Sequence, residues 1–199
     1  MVQGIAIYGL NGGGKSTLTH ALAKTMGYYE MDVEDYYFPE QRESRQWALE
    51  NSDVINTDHL GKLPFSNPRS KSEVENAILD DIEAHPNFIL SGVTMNWSDE
   101  ILSHINIAFW IQAPLEERLK RINRREEKRF GPRVLLGGDM YKQQIEFQNV
   151  VANRDLKSVE ESTTKLRCPI IIVDGLLPVT KNVQKIMDYL NIISSGESL

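Results

Sequence analysis

The stretch Gly9-Leu10-Asn11-Gly12-Gly13-Gly14-Lys15-Ser16-Thr17 carries the residue types needed to grip a polyphosphate. It reads G-x-x-x-x-G-K-S, the phosphate-binding loop pattern. Glycines let the backbone turn sharply and bring its N–H groups against phosphate oxygens. Lys15 is a flexible point charge with the reach to meet β- and γ-phosphates, and the Ser16 hydroxyl can ligate Mg²⁺. Asn11, Gly12, Gly13, Gly14, Lys15, Ser16 and Thr17 are therefore the expected phosphate-contacting set, with Ser16 on the metal. The flanks agree. Gly4-Ile5-Ala6-Ile7-Tyr8 is a short apolar, β-prone run, and the residues from Lys15 suit a helix with Leu18, Ala21 and Leu22 on its apolar side. Strand, loop and helix in that order set an anion on the positive end of a helix dipole.

Three further segments carry chemistry. Met31-Asp32-Val33-Glu34-Asp35-Tyr36-Tyr37-Phe38-Pro39 closes an apolar run with three carboxylates. One can orient a hydroxyl and accept its proton, and another can hold water around Mg²⁺; a solvated acidic turn is the alternative. If the strand continues, Asp32 and Glu34 share a side and Asp35 faces elsewhere. Arg118, Arg121 and Arg125 fall at helical spacings of three and four, and Arg129 continues the row. Guanidinium forks suit polyphosphate charge and can stabilise a phosphoryl group in transfer. A solvated helix face is the alternative, since Glu116 with Lys120 and Glu117 with Arg121 are i,i+4 pairs that need no ligand. Finally, Ile170-Ile171-Ile172-Val173 ends in Asp174-Gly175, which by its residues alone is a strand-ending turn and becomes a backbone surface for a base edge only by family resemblance. The four histidines show no ligand spacing.

These residues need elements to position them. Apolar runs near Ile5–Tyr8, Tyr28–Val33, Phe88–Leu90, Ile105–Ile111 and Ile170–Val173 read as strands. Helical stretches fall near Lys15–Met26, Lys71–Ala84, Leu115–Lys128, Tyr141–Leu166 and Thr180–Ile193. Alternation of this kind predicts a three-layer α/β fold, a five-stranded parallel sheet with helices on both faces. Ligands then sit at the carboxyl ends of the strands. The expected organisation is one domain over residues 1–199, with an insert at 36–70 and a glycine-bearing segment at 125–142, which family resemblance makes an acceptor-side insert and a lid.

Composition bounds the function. The 199 residues suffice for one well-buried α/β domain, and 41% hydrophobic with 25% charged residues is ordinary for a globular chain. A net charge of −6 argues against nucleic acid as the main partner. The single Cys168 allows neither an internal disulfide nor a cysteine-based zinc cluster. No leader or membrane span is read, so the expected compartment is the cytoplasm.

Loop, acidic-aromatic segment and arginine helix together resemble the P-loop small-molecule kinases, with adenylate, uridine and shikimate kinases among them. Asp32-Val33-Glu34 resembles the D-x-D of shikimate kinase, and Asp35-Tyr36-Tyr37 the acidic-aromatic stretch of uridine kinase. The resemblance implies ATP and Mg²⁺ as cofactors and a small-molecule hydroxyl or phosphate as acceptor, nucleoside-like on the strength of Asp35-Tyr36-Tyr37. It implies catalytic roles for Lys15, Asp32, Arg125 and Arg129, metal binding by Ser16 and Asp32, and nucleotide contacts from Arg121 and Gly175. The family acidic segment contacts the acceptor or its metal, which carries over to Asp32 and, less directly, Asp35. Tyr36, Tyr37, Phe38, Trp47, Phe65 and Trp97 can stack on a planar substrate or pack internally. One departure stands out: the third strand ends in Ser91, where many P-loop enzymes carry an aspartate near the metal. Two other readings remain open. A nucleotide-dependent ATPase or switch acting on a protein predicts slow hydrolysis without an acceptor, and no N-K-x-D guanine motif is present. A nucleic-acid-processing ATPase predicts strongly salt-dependent RNA or DNA binding.

Overall fold

The computed structural model describes residues 2–43 and 68–195. Five strands form one parallel sheet: β1 (Gly4–Tyr8), β2 (Tyr29–Asp32), β3 (Phe88–Gly92), β4 (Ile107–Gln112) and β5 (Ile170–Asp174). Their spatial order is β2-β3-β1-β4-β5. β1 is central, with Tyr8 opposite both Gly92 of β3 and Trp110 of β4. The chain leaves β1 toward one side of the sheet and returns on the other, so a crevice opens at the carboxyl end of β1. The phosphate loop lies in that crevice.

The inner strands β1 and β3 bury both faces and β4 nearly so, as a sheet covered by crossover helices must, while the edge strand β5 leaves Ile172 exposed. Ile5, Ile7, Ile89, Ile107 and Phe109 meet Leu18 and Leu22 of α1 (Lys15–Met26) and Ile186 and Leu190 of α8 (Val179–Ser195). Their neighbours Ala6, Tyr8, Leu90 and Ala108 face the other way. There they meet Val74, Ile78 and Ile82 of α3 (Lys71–Ala84), Ile101 and Leu102 of α4 (Asp99–Ser103) and Val159 of α7 (Lys157–Thr163). A fully buried Leu or Ile contributes about 1.5–3 kcal/mol, so these two layers carry the stability of the fold.

Helix α3 starts in a reciprocal cap. Glu73 N–H donates to Ser70 Oγ at 3.3 Å, and Ser70 N–H donates to a Glu73 carboxylate oxygen at 2.8 Å. The sequence reading has no counterpart of α4, and it differs again at β2 and at the helical stretch before β5. β2 stops at Asp32, and the acidic segment turns at once into the short helix α2 (Val33–Tyr37), because Asp32 caps it by accepting from Glu34 N–H at 3.0 Å. The single helix expected over Tyr141–Leu166 is two, α6 (Tyr141–Asn153) and α7, separated where Asp155 accepts from Lys157 N–H at 2.9 Å.

Helix α5 (Leu115–Phe130) leads through a 3₁₀ turn (Gly131–Val134) into α6. Phe130, Val134 and Met140 form a small apolar cluster apart from the main core, and Arg133 clamps Asp139 with bonds of 2.7–3.1 Å. This is the segment expected as a lid. Of the acceptor-side insert expected at 36–70, residues 44–67 lie outside the described residues, Trp47 and Phe65 among them.

Candidate active site

The loop conformation requires its glycines. Gly12 has φ +77°, and a Cβ there would stand 2.5 Å from the Arg118 carbonyl oxygen. Gly14, at φ +100°, is the N-cap of α1 and supplies no side-chain cap. The first N–H groups of α1 therefore look out into the crevice with no intrahelical acceptor, which is the helix-terminal anion site.

Lys15 Nζ donates to the Leu10 carbonyl at 3.2 Å, folded back across the loop. Desolvation lowers its pKa from 10.5 to about 8. Glu34 and Asp32 act against that shift, and Arg125 and Arg154 reinforce it. Five charged groups thus converge on one position, and an incoming polyphosphate would supply the missing counter-charge.

Ser16 Oγ donates to Asp32 Oδ2 at 2.7 Å, and Asp32 is only 7% exposed. Ser91 stands opposite Asp32 in the β2–β3 register. Its hydroxyl is buried and has no hydrogen-bond partner among the described residues. Two hard oxygens in contact beside a third unsatisfied one fit Mg²⁺, which takes few protein ligands and keeps waters and phosphate oxygens for the rest. His, Cys, Asp and Glu form no cluster of three that could hold a metal among the described residues.

The arginine row of α5 does not act as one face. Arg118 is buried and donates to the Asn11 carbonyl at 3.2 Å. Arg121 donates to Glu117 at 2.9 Å and also to the Gly13 carbonyl at 3.4 Å, so pairing and loop contact coexist. Arg125 donates to Glu126 at 2.7 Å, and Arg129 lies 3.7 Å from the same carboxylate. Gly175 sits under the loop: its N–H donates to the Gln112 carbonyl at 2.7 Å, and a Cβ would stand 2.9 Å from the Gly13 oxygen.

A cleft of about 400 Å³ opens beside the loop, lined from Asn11, Glu34 and Phe38 through Arg125, Glu126 and Phe130 to the lid and α6. It brings Arg125 to Asn11 but holds neither Asp32 nor Asp35; Glu34 is the acidic-segment carboxylate on its wall. Among the expected stacking residues that are described, Phe38 alone lines it. Tyr36 is buried and donates to Asp81 at 2.5 Å, which ties α2 to α3, and burial with that carboxylate pushes its pKa far up. Trp97 is buried beside Tyr37.

Three residues escaped the sequence reading. Glu126 passed as a member of a charge run, although it sits at i+4 and i+8 from Ile122 and Arg118 on the buried side. Arg154, just past α6, donates to Asn11 Oδ1 at 2.6 Å and has no signal in the sequence. Phe147 shows only as an apolar residue of an expected helix.

Residues 5–158, from β1 into α7 and through the phosphate loop, the acidic segment and the arginine helix, match the family described as an AAA domain. The chain belongs to that AAA-domain family. It is also similar to the uncharacterized protein YqaC of Bacillus subtilis, 26% identical across 96% of this chain and 99% of that one. Among solved structures it resembles shikimate kinase from Bacteroides thetaiotaomicron (TM-score 0.54, 17% identity, 95% of this chain and 98% of that one). The Acinetobacter baumannii shikimate kinase in complex with shikimate gives 0.52 at 19% identity, over 96% and 93%. A Janibacter sugar kinase gives 0.51 at 13% identity, over the whole of both chains. This AAA-domain chain therefore has the kinase-like P-loop fold. No described helix is long and apolar enough to cross a membrane.

Proposed function

We propose that this protein is an ATP-dependent kinase that transfers the γ-phosphoryl group to a small-molecule hydroxyl, nucleoside-like in kind, in the cytoplasm and without a nucleic-acid partner. The observation that carries the reading is the cleft: a bounded space with Asn11 of the phosphate loop at one end and the Glu34 carboxylate on its wall.

In this reading the loop amides, Lys15 and Arg121 hold the ATP phosphates, and the turn at Gly175 borders the base. Ser16 and Asp32 hold Mg²⁺, with Ser91 as a further oxygen. The ion, when bound, neutralises charge on the β- and γ-oxygens. Asp32 lies off the cleft, bonded to Ser16 and to the Glu34 N–H. Glu34, on the cleft wall, is the group placed to orient the acceptor hydroxyl. The acceptor oxygen forms a bond to the γ-phosphorus, the bond from that phosphorus to the β–γ bridging oxygen breaks, and the hydroxyl proton passes to Glu34. Lys15, Arg125 and Arg154 stabilise the transferring group, with Arg129 behind them beside Glu126. The chain acts as one domain, with residues 36–70 toward the acceptor and 125–142 closing above it to exclude water.

The test is turnover of ATP with Mg²⁺ against pooled nucleosides, nucleotides, sugars and shikimate-like acids, with products read by mass spectrometry. One phosphorylated product formed in step with ADP is expected. ATP hydrolysis with no acceptor product from any pool overturns the kinase reading in favour of an ATPase acting on a partner.

A further inference from the structure

Resting on the kinase reading, we propose that α6 reads the acceptor: the cleft takes an uncharged planar ring with an N–H or NH₂ donor on its edge, and Gln144 is the specificity-determining residue.

The cleft wall changes character along its length. Of its two cations, Arg154 is held at the loop end by Asn11 Oδ1 at 2.6 Å, and Arg125 is paired with Glu126 at 2.7 Å. Ten residues separate Arg154 from Gln144, about 15 Å at the rise of a helix. Beyond these two the described lining offers no cation. It offers the apolar Phe130, Val134, Met140 and Phe147, with Gln143 and Glu146 as polar neighbours. A carboxylate or phosphate buried there would have no counter-charge from this wall, which a desolvated anion needs. Aromatic and aliphatic walls with one or two fixed polar groups are instead the chemistry that holds a flat heterocycle.

Gln144 is the fixed polar group. It lines the cleft yet is only 8% exposed. Its Nε2 donates to Asn123 Oδ1 at 3.4 Å, and Gln148 Nε2 donates to the same oxygen at 2.8 Å. Asn123 is thereby held as the acceptor, which turns the NH₂ of Gln144 toward α5. A planar amide with its nitrogen so committed presents its carbonyl oxygen on the opposite side. That oxygen selects a ring-edge donor. A ring lacking the donor leaves the carbonyl desolvated and unpaired, the situation that gives large discrimination.

The experiment is saturation-transfer NMR on the full chain with Mg²⁺ and a non-hydrolysable ATP analogue, which fills the donor site. Adenosine, cytidine, guanosine, uridine, shikimate and glucose are presented in turn. Transfer to ring protons of a nucleoside is expected. Gln144→Leu should weaken that nucleoside about tenfold or more, while affinity for the ATP analogue is unchanged. Binding of shikimate or glucose but of no nucleoside overturns the inference, as does nucleoside binding indifferent to Gln144→Leu. Failure of the kinase reading is distinct: no ADP forms with any acceptor, whatever the NMR shows.

Discussion

The phosphate loop and the lid segment sit on either side of the same cleft and are built in opposite ways. The loop is backbone held by the main core: it hangs from the central strand β1, and Arg118 and Arg121 reach its carbonyls from α5. The lid has three buried apolar residues of its own, and one carboxylate, Glu126, organises Arg125 and Arg129. A part held by many buried contacts is stiff; a part held by a few polar ones opens at lower cost. Under the proposed kinase function the difference suits a site that presents fixed amides to phosphate and then closes over an acceptor.

The sharpest break of the loop is Lys15→Ala. Turnover should fall about a thousandfold or more, the order seen when a preorganised charge on the reacting group is lost. The melting temperature should hold or rise, because a desolvated cation is removed. A variant that unfolds, or one that keeps full turnover, would place Lys15 in the scaffold rather than in the chemistry.

The matching break of the lid is Glu126→Gln, which keeps shape and removes the charge between the two arginines. Loss of charge-assisted bonds should cost the lid about 2 kcal/mol. Amide exchange over residues 125–142 should quicken while β1, β3 and β4 stay protected. If exchange rises equally everywhere, lid and core are one cooperative unit and the contrast fails.

The smallest effect is a pH dependence of the loop alone. Lys15 in the free protein titrates at about 8, and a bound polyphosphate draws that value back up. The affinity due to its charge is complete well below pH 8 and is lost as pH rises through 8 toward the bound value. The dissociation constant for MgATP should therefore weaken a few-fold between pH 7 and 9, with proton uptake on binding. Calorimetry in buffers of different ionisation enthalpy reads that uptake directly, and its absence would put Lys15 at an ordinary pKa.

The glycine run, Lys15 and Ser16 were legible because their chemistry is local: loop conformation and helix start are set within ten residues. The inner strands were legible for a related reason, since a strand buried on both faces reads as a continuous apolar run; β5 shows the same run, Ile170–Val173, although it is partly exposed. The end of β2 was harder. Val33 looks like one more strand residue, and the Asp32 cap that turns the chain into α2 shows only as an acidic cluster. Glu34 consequently stands on the cleft wall while Asp32 stays with Ser16, a division of roles that alternation along an extended strand does not give.

The sequence by itself determined the phosphate loop, the parallel sheet behind it and the kind of ligand both imply, because period, turn chemistry and local spacing fix them. Tertiary structure alone decided that Arg154 reaches Asn11 across 143 residues, that Glu126 is buried between two arginines, and that Phe38, Phe130, Phe147 and Gln144 border one cleft. Those pairings depend on how α5 and α6 cross at the carboxyl end of the sheet. Helices are placed by the sum of many weak packing contacts, and no short stretch of residues encodes that sum.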